Sequence, residues 1–206
     1  MEHRFKNRPN TPYEVAPGKT VFDSRSVALL AMVLGFELKS GRFHVLAGRR
    51  GRAVDLPGHW CMVCGYLDWD ESLEDAARRE VFEEAGLDLA ALEAAGLARV
   101  PSHPTTVRGL PGSHRQNVTA EFPIEIVADE LPVPSTAHAE PDEVDEVAWI
   151  ELTEENLASR TWAFHHDELL GRILAWLTEE RQRGQYDRDS VRRYFRAQIE
   201  SRYPFV

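Results

Sequence analysis

Apolar positions along the chain fall into runs of two periods. SVALLAMVLGFE, from Ser26 to Glu37, is almost continuously apolar and of strand length, which predicts a strand buried on both faces. Lys39, Ser40 and Gly41 mark a turn and Phe43 to Leu46 resume the pattern, so a hairpin is expected there. From Glu71 to Ala85 there is no Gly or Pro, and Leu73, Ala77, Val81 and Ala85 recur every four residues, the spacing of a packed helical stripe. Gly86 supplies a stop. A short helix over Leu89 to Ala95 follows, then a strand in NVTAEFPIEIVA, where Pro123 points to an edge or a bulge. The stretch EVAWI reads as a further strand. Two helical patterns close the chain, His166 to Gln182 and Asp187 to Arg202, carried by Leu169, Leu170, Ile173, Leu174 and Leu177 and by Val191, Tyr194, Phe195 and Ile199.

The polar stretches between these runs differ in character. Residues 1–24 are polar and Pro-rich with little periodicity, an irregular arm free to pack on the body or on a second subunit. AGRRGRAVDLPGHW carries Gly48, Gly51, Pro57 and Gly58 around Arg49, Arg50 and Arg52, which reads as a loop. It is either an anion-binding loop or a solvated basic one. LARVPSHPTTVRGLPGSHRQ reads as a strand end and a long loop, a length uncommon unless the loop binds something. DELPVPSTAHAEPDE is an acidic connector.

At 206 residues and 43% hydrophobic content the chain suits one globular domain with an added terminal element. A formal net charge of −10 argues against a surface that tracks a nucleic-acid duplex or an anionic membrane. No apolar run approaches the roughly 20 residues that span a bilayer, and the start, MEHRFKNRPNTPYEV, lacks a signal-like apolar segment. A cytoplasmic location is the expectation. The two cysteines, Cys61 and Cys64, have the C-x-x-C spacing, but no second ligand pair accompanies them to make a zinc site. In a strand they would point to opposite faces and be buried packing residues.

Charge changes the picture most in GYLDWDESLEDAARREVFEEAG. Glu80, Glu83 and Glu84 are spaced by three and one, which places them within an arc of roughly 100° on one helix face. Carboxylates that close repel unless solvent screens them or a cation sits among them. Arg79, four residues before Glu83, can pair with it.

Gly65, Glu71, Arg79, Glu80, Val81, Glu83, Glu84, Gly86 and Leu87 fill every fixed position of the pattern G-x5-E-x7-R-E-U-x-E-E-x-G-U, with U a bulky aliphatic residue. The segment resembles the Nudix box. The likeness runs more loosely from about residue 26 to about residue 180. It implies an α/β/α sandwich around a mixed sheet, flanked by the arm (1–24) and a C-terminal helical extension (183–206), with residues 25–182 as the hydrolase domain. It also implies a metal-dependent pyrophosphohydrolase, because attack of water on an anionic diphosphate needs cations to neutralise charge and ionise the nucleophile.

By resemblance, Glu80 and Glu84 are direct ligands of Mg²⁺, or Mn²⁺, with the Gly65 carbonyl as a third, and Glu83 is another ligand or the base. Arg79 would hold the carboxylates and Glu71 would support them. Val63 and Cys64 stand where many members have Pro-Gly, so the turn presenting Gly65 differs. The implied substrate is a nucleoside diphosphate joined to another group: a triphosphate, a sugar nucleotide or a dinucleotide. Arg49, Arg50, Arg52, His103, Arg108, His114 and Arg115 are the expected substrate contacts, with Trp60 and Trp149 as stacking surfaces or core residues. The alternative is a catalytically silent nucleotide-binding sensor. The arm and the extra helix are compatible with a homodimer.

Overall fold

In the computed structural model the described residues are 11–23, 27–109 and 118–202. The strands are β1 (Thr11–Ala16), β2 (Lys19–Asp23), β3 (Val27–Glu37), β4 (Arg42–Arg50), β5 (Trp60–Met62), β6 (Cys64–Tyr66), β7 (Ala98–Arg99), β8 (Thr106–Gly109), β9 (Val118–Ala128) and β10 (Val144–Glu151). The helices are α1 (Leu73–Ala85), α2 (Leu89–Ala94), α3 (Glu154–Ala158), α4 (His166–Gln182) and α5 (Ser190–Arg202).

β3 is the spine of a mixed sheet of order β10-β4-β3-β9-β7, with β9 parallel to it and β4 antiparallel. Its alternate residues serve both faces: Leu30, Met32, Leu34 and Phe36 enter one core, Leu29, Ala31 and Val33 the other. This is the doubly buried strand expected from its unbroken apolar run. α1 and α2 cover the second face, through Ala76, Ala77, Val81, Ala85 and Leu89. α3, α4 and α5 cover the first, through Leu157, Leu170, Ile173, Val191 and Phe195. The result is the expected α/β/α sandwich.

β3 and β4 pair at their hairpin end, from Leu34–Val45 to Glu37–Arg42, and then diverge. Residues 60–66 fill the fork. β5 pairs with β4 across Gly48↔Cys61, β6 pairs with β3 across Leu29↔Gly65, and the chain bends at Val63, whose carbonyl accepts from Ala31 N at 2.9 Å. Cys61 and Cys64 flank that bend. Instead of pointing to opposite faces, their sulfurs lie 3.4 Å apart, because two short strands rather than one continuous strand carry them.

Other sequence expectations change for local reasons. Within the arm, Pro17-Gly18 with φ of 73° at the glycine turns β1 into β2, so part of the arm is a hairpin and not irregular. β4 continues through Gly48 to Arg50 before the expected loop begins. Pro123 sits in an interior strand with no bulge in its parallel register. It is tolerated because β8 pairs only with residues 118–121 of β9 and β7 only with 125–126, so the far side of β9 is open where Pro123 lacks an N–H. α1 starts at Leu73, where Ser72 accepts from Asp75 N, and ends on Gly86 at φ 68°. α3, capped by Thr153, was not legible in the apolar pattern.

A candidate active site on the acidic helix

The site is built by three segments that meet: β6, α1 and the end of the acidic connector. Gly65 brings β6 hard against the helix. A Cβ at this position would lie 2.1 Å from Glu80 Oε1, so any side chain here would have to push that carboxylate from its place. The Ala-rich inner face of α1, with Ala76 and Ala77 fully buried, lets the helix approach this closely.

Arg79 organises the carboxylates. Its side chain is 3% exposed and donates to Glu71 through Nε at 3.0 Å and Nη2 at 2.8 Å, to Glu80 Oε1 at 2.7 Å and to Glu83 Oε2 at 2.9 Å. Nη2 also donates to the Tyr66 carbonyl at 2.9 Å. One guanidinium therefore ties the strand, the loop before the helix and two helical carboxylates together. Burial opposes its charge, but Glu71 and Glu80 hold it protonated and push its pKa above the usual arginine value. Glu71 in turn accepts from Asp68 N at 2.7 Å, which braces the loop.

Glu80 and Glu84 are buried and Glu83 is half-buried. Burial pushes the Glu80 carboxyl up to about 7, against the pull of Arg79. Glu84 lies outside the Arg79 network. Burial raises it well above the carboxylate range, Cys64, Glu80 and Glu143 add to the effect, and Arg50 only partly opposes it. Glu83 is raised as well, by burial first. The hydrogen bond with Cys61 lifts the Cys64 thiol, and burial adds to it.

Glu143 and Glu140 were missed in the sequence, where the connector reads only as acidic. Glu143 is raised by burial and then by Glu83 and Glu140, which places both connector carboxylates in the field of the helix. Two backbone approaches bring them in. Gly51 N donates to the Glu143 carbonyl at 2.8 Å, and a Cβ at Gly51 would lie 2.1 Å from the Asp142 carbonyl oxygen. The signal was Gly51 itself, which needs a partner only the β10–β4 pairing, Val144↔Arg50, reveals.

Of the basic substrate candidates among the described residues, Arg50 is the one that figures in the charges acting on Glu84, Glu143 and Cys64. Its guanidinium donates to Cys61 Sγ at 3.8 Å and lies 4.9 Å from the Phe164 ring centroid. Arg49 pairs with Glu146 at 3.3 Å and Arg52 with Asp142 at 2.7 Å, both at the surface. Arg108 pairs with buried Glu121 on the face that α4 and α5 cover. His103 is exposed in the segment before β8. His114 and Arg115 lie outside the described residues. Trp60 and Trp149 both pack against the cores, Trp149 with Nε1 donating to the Pro132 carbonyl at 2.8 Å.

A forked mixed sheet between two helical layers, with a glycine-backed acidic helix at the fork, defines a hydrolase-type α/β/α fold. The NUDIX domain family model matches residues 25–176, and the chain belongs to that family, as a pyrophosphohydrolase. Solved structures agree on the fold. The NUDIX domain of Shewanella oneidensis NrtR, complexed with ADP ribose, superposes with a TM-score of 0.54 at 18% identity, covering 73% of this chain and 87% of that one. A MutT/nudix family protein from Enterococcus faecalis gives 0.55 at 16% identity over 84% and 68%. A bifunctional NMN adenylyltransferase/ADP ribose pyrophosphatase from Francisella tularensis gives 0.51 at 25% identity over 72% of this chain and 40% of that one. A comparison with curated proteins finds no match.

Proposed function

We propose that the chain hydrolyses the diphosphate of a nucleoside diphosphate joined to a further group, using a divalent cation held by Glu80, Glu84 and the Gly65 carbonyl. The observation that carries this reading is the convergence of Glu80, Glu83, Glu84 and Glu143, all with raised pKa values, around a helix packed on a glycine. A structural role does not account for so many buried like charges with so few cations near them. A bound divalent cation does.

The residues fit Mg²⁺, with Mn²⁺ as a substitute. The donors are hard carboxylate and carbonyl oxygens, the chemistry these ions prefer. Among the described residues no group of three or more His, Cys, Asp or Glu side chains is placed to hold a metal ion, so the reading gives the ion two carboxylates and a carbonyl, with waters for the rest of its shell. When bound, the ion would neutralise phosphate charge and lower the pKa of a water.

The chain's own residues have separate tasks. Arg79 holds Glu80 and Glu83 in place and does not reach the substrate, being closed in by Glu71 and the Tyr66 carbonyl. Glu83, half-buried beside Glu140 and Glu143, takes the proton of the attacking water. Arg50 supplies the positive charge facing the acidic cluster and contacts the diphosphate. The intact carboxylate set favours an enzyme over a silent sensor.

The 206-residue chain incubated with ADP-ribose, sugar nucleotides, dinucleotides and nucleoside triphosphates, with Mg²⁺ or with chelator, tests the reading. Cleavage of one class only with metal, with ¹⁸O from labelled water in one product, is expected. Tight binding of one member with no cleavage would instead establish the sensor. ADP-ribose comes first in the panel because the NrtR domain is complexed with ADP ribose and the Francisella tularensis protein is an ADP ribose pyrophosphatase.

A further inference from the structure

The two sulfurs at the bend in the fork are used by none of the steps above. Cys61 is buried in β5, Cys64 is half-buried in β6, and their Sγ atoms are 3.4 Å apart. His166 faces Cys61 Sγ through Nδ1 at 3.6 Å. That nitrogen already accepts from Met62 N at 3.1 Å, so the ring proton belongs on Nε2 and the imidazole is neutral, its pKa lowered to about 4 chiefly by burial. An imidazolium–thiolate pair, the arrangement of a nucleophilic cysteine, is therefore not formed. What the geometry does provide is two thiols in van der Waals contact, one of them in a half-buried residue, with Arg50 beside the other.

We propose that Cys61 and Cys64 are a redox switch on the metal site: peroxide joins them in a disulfide that shifts Gly65 and weakens divalent-cation binding. Cys64 sulfur attacks one peroxide oxygen, the O–O bond breaks, and a sulfenic acid and water form. Cys61 sulfur then attacks the sulfenic sulfur, the S–S bond forms, and the second water leaves. Two thiols and one peroxide give one disulfide and two waters, the sulfurs losing the two electrons that the peroxide gains.

The link to the site is one peptide bond long. Bond formation takes the sulfurs from 3.4 Å to about 2.0 Å. Cys61 is held by the β4 pairing and the His166 contact and Cys64 by its pairing with Leu30 of β3, so the closure is shared between the two short strands and pulls the start of β6 toward Cys61. Gly65 follows, away from the Glu80 carboxylate that its missing side chain accommodates. A displacement of about 1 Å in a positioned group reduces turnover by about 10²-fold in comparable sites. The proposal rests on the reading of Gly65 and Glu80 as parts of a cation site.

The test uses the whole 206-residue chain, reduced or treated with hydrogen peroxide, and separates the two ideas. Intact mass after iodoacetamide reads the cysteines and Mn²⁺ titration reads the site. The expected result is a species two hydrogens lighter with neither thiol alkylated. It should bind Mn²⁺ about tenfold or more weakly and return to full affinity with dithiothreitol. Cys61→Ser should bind Mn²⁺ as the reduced wild type does and be insensitive to the same exposure. Thiols that stay alkylatable, separate sulfinic acids, or a disulfide with unchanged Mn²⁺ affinity would each overturn the switch. Reduced protein that binds no Mn²⁺ would overturn the underlying site reading, and the switch with it.

Discussion

Replacing Glu84 by Gln should make the metal-free protein more stable while removing its activity. Glu84 is 9% exposed, burial raises its carboxyl well above the usual range, and its charged neighbours are Glu80, Glu143 and, in part, Arg50. The folded pKa is therefore above the unfolded value. The folded state holds its proton to higher pH, and stability is lost as pH rises from the unfolded value through the folded one. Gln keeps the shape and has nothing to ionise. The variant should match wild type near pH 4.5 and exceed it increasingly toward pH 8.5. Each unit of raised pKa corresponds to about 1.4 kcal/mol, and each kcal/mol moves Tm by about 2–4 °C in a chain of this size. A gain of several degrees in chelator at high pH is expected from thermal unfolding followed by circular dichroism. Saturating Mg²⁺ should reverse the order, because a ligand at 100 times its Kd stabilises the protein that binds it by about 2.7 kcal/mol. A variant less stable than wild type in chelator at pH 8.5 would refute the reasoning, since the carboxylate would then already have a partner.

Arg79→Ala should destabilise the fold by about 3 kcal/mol or more, because it strands Glu71 and Glu80 without their buried cation; urea unfolding measures it. Gly65→Ala should keep the unfolding midpoint near wild type but lower kcat/KM by about tenfold or more. Its Cβ moves the flexible end of Glu80 and not the backbone. Arg50→Ala should raise KM about tenfold with a smaller effect on kcat, the loss of one charge-assisted contact, while Arg52→Ala, whose side chain is 82% exposed, should leave both unchanged.

How far the sequence reached depended on whether a feature was local. The doubly buried β3 and the stripe of α1 follow from apolar spacing alone, and Ser72 and Gly86 set the ends of that helix. The pairing of Arg79 with Glu83 follows from a separation of four residues. The fork was not readable in this way. β5 and β6 have three residues each, too short for a period, and the Cys61–Cys64 contact depends on the bend between them. Glu143 is 59 positions beyond Glu84 in the chain, and only the pairing of β10 with β4 brings its segment to the helix. Arg49 and Arg50 looked equivalent in sequence, yet alternation along β4 gives Arg49 to surface Glu146 and Arg50 to the site.

The most direct measurement is a Mn²⁺ titration of wild type and Glu80→Gln/Glu84→Gln, followed by electron paramagnetic resonance, with turnover read on the same samples. The account predicts saturable binding in the wild type, a loss of at least about tenfold in affinity for the double variant, and a parallel loss of hydrolysis. Equal Mn²⁺ affinity in the two proteins would contradict it and place the cation away from the acidic helix.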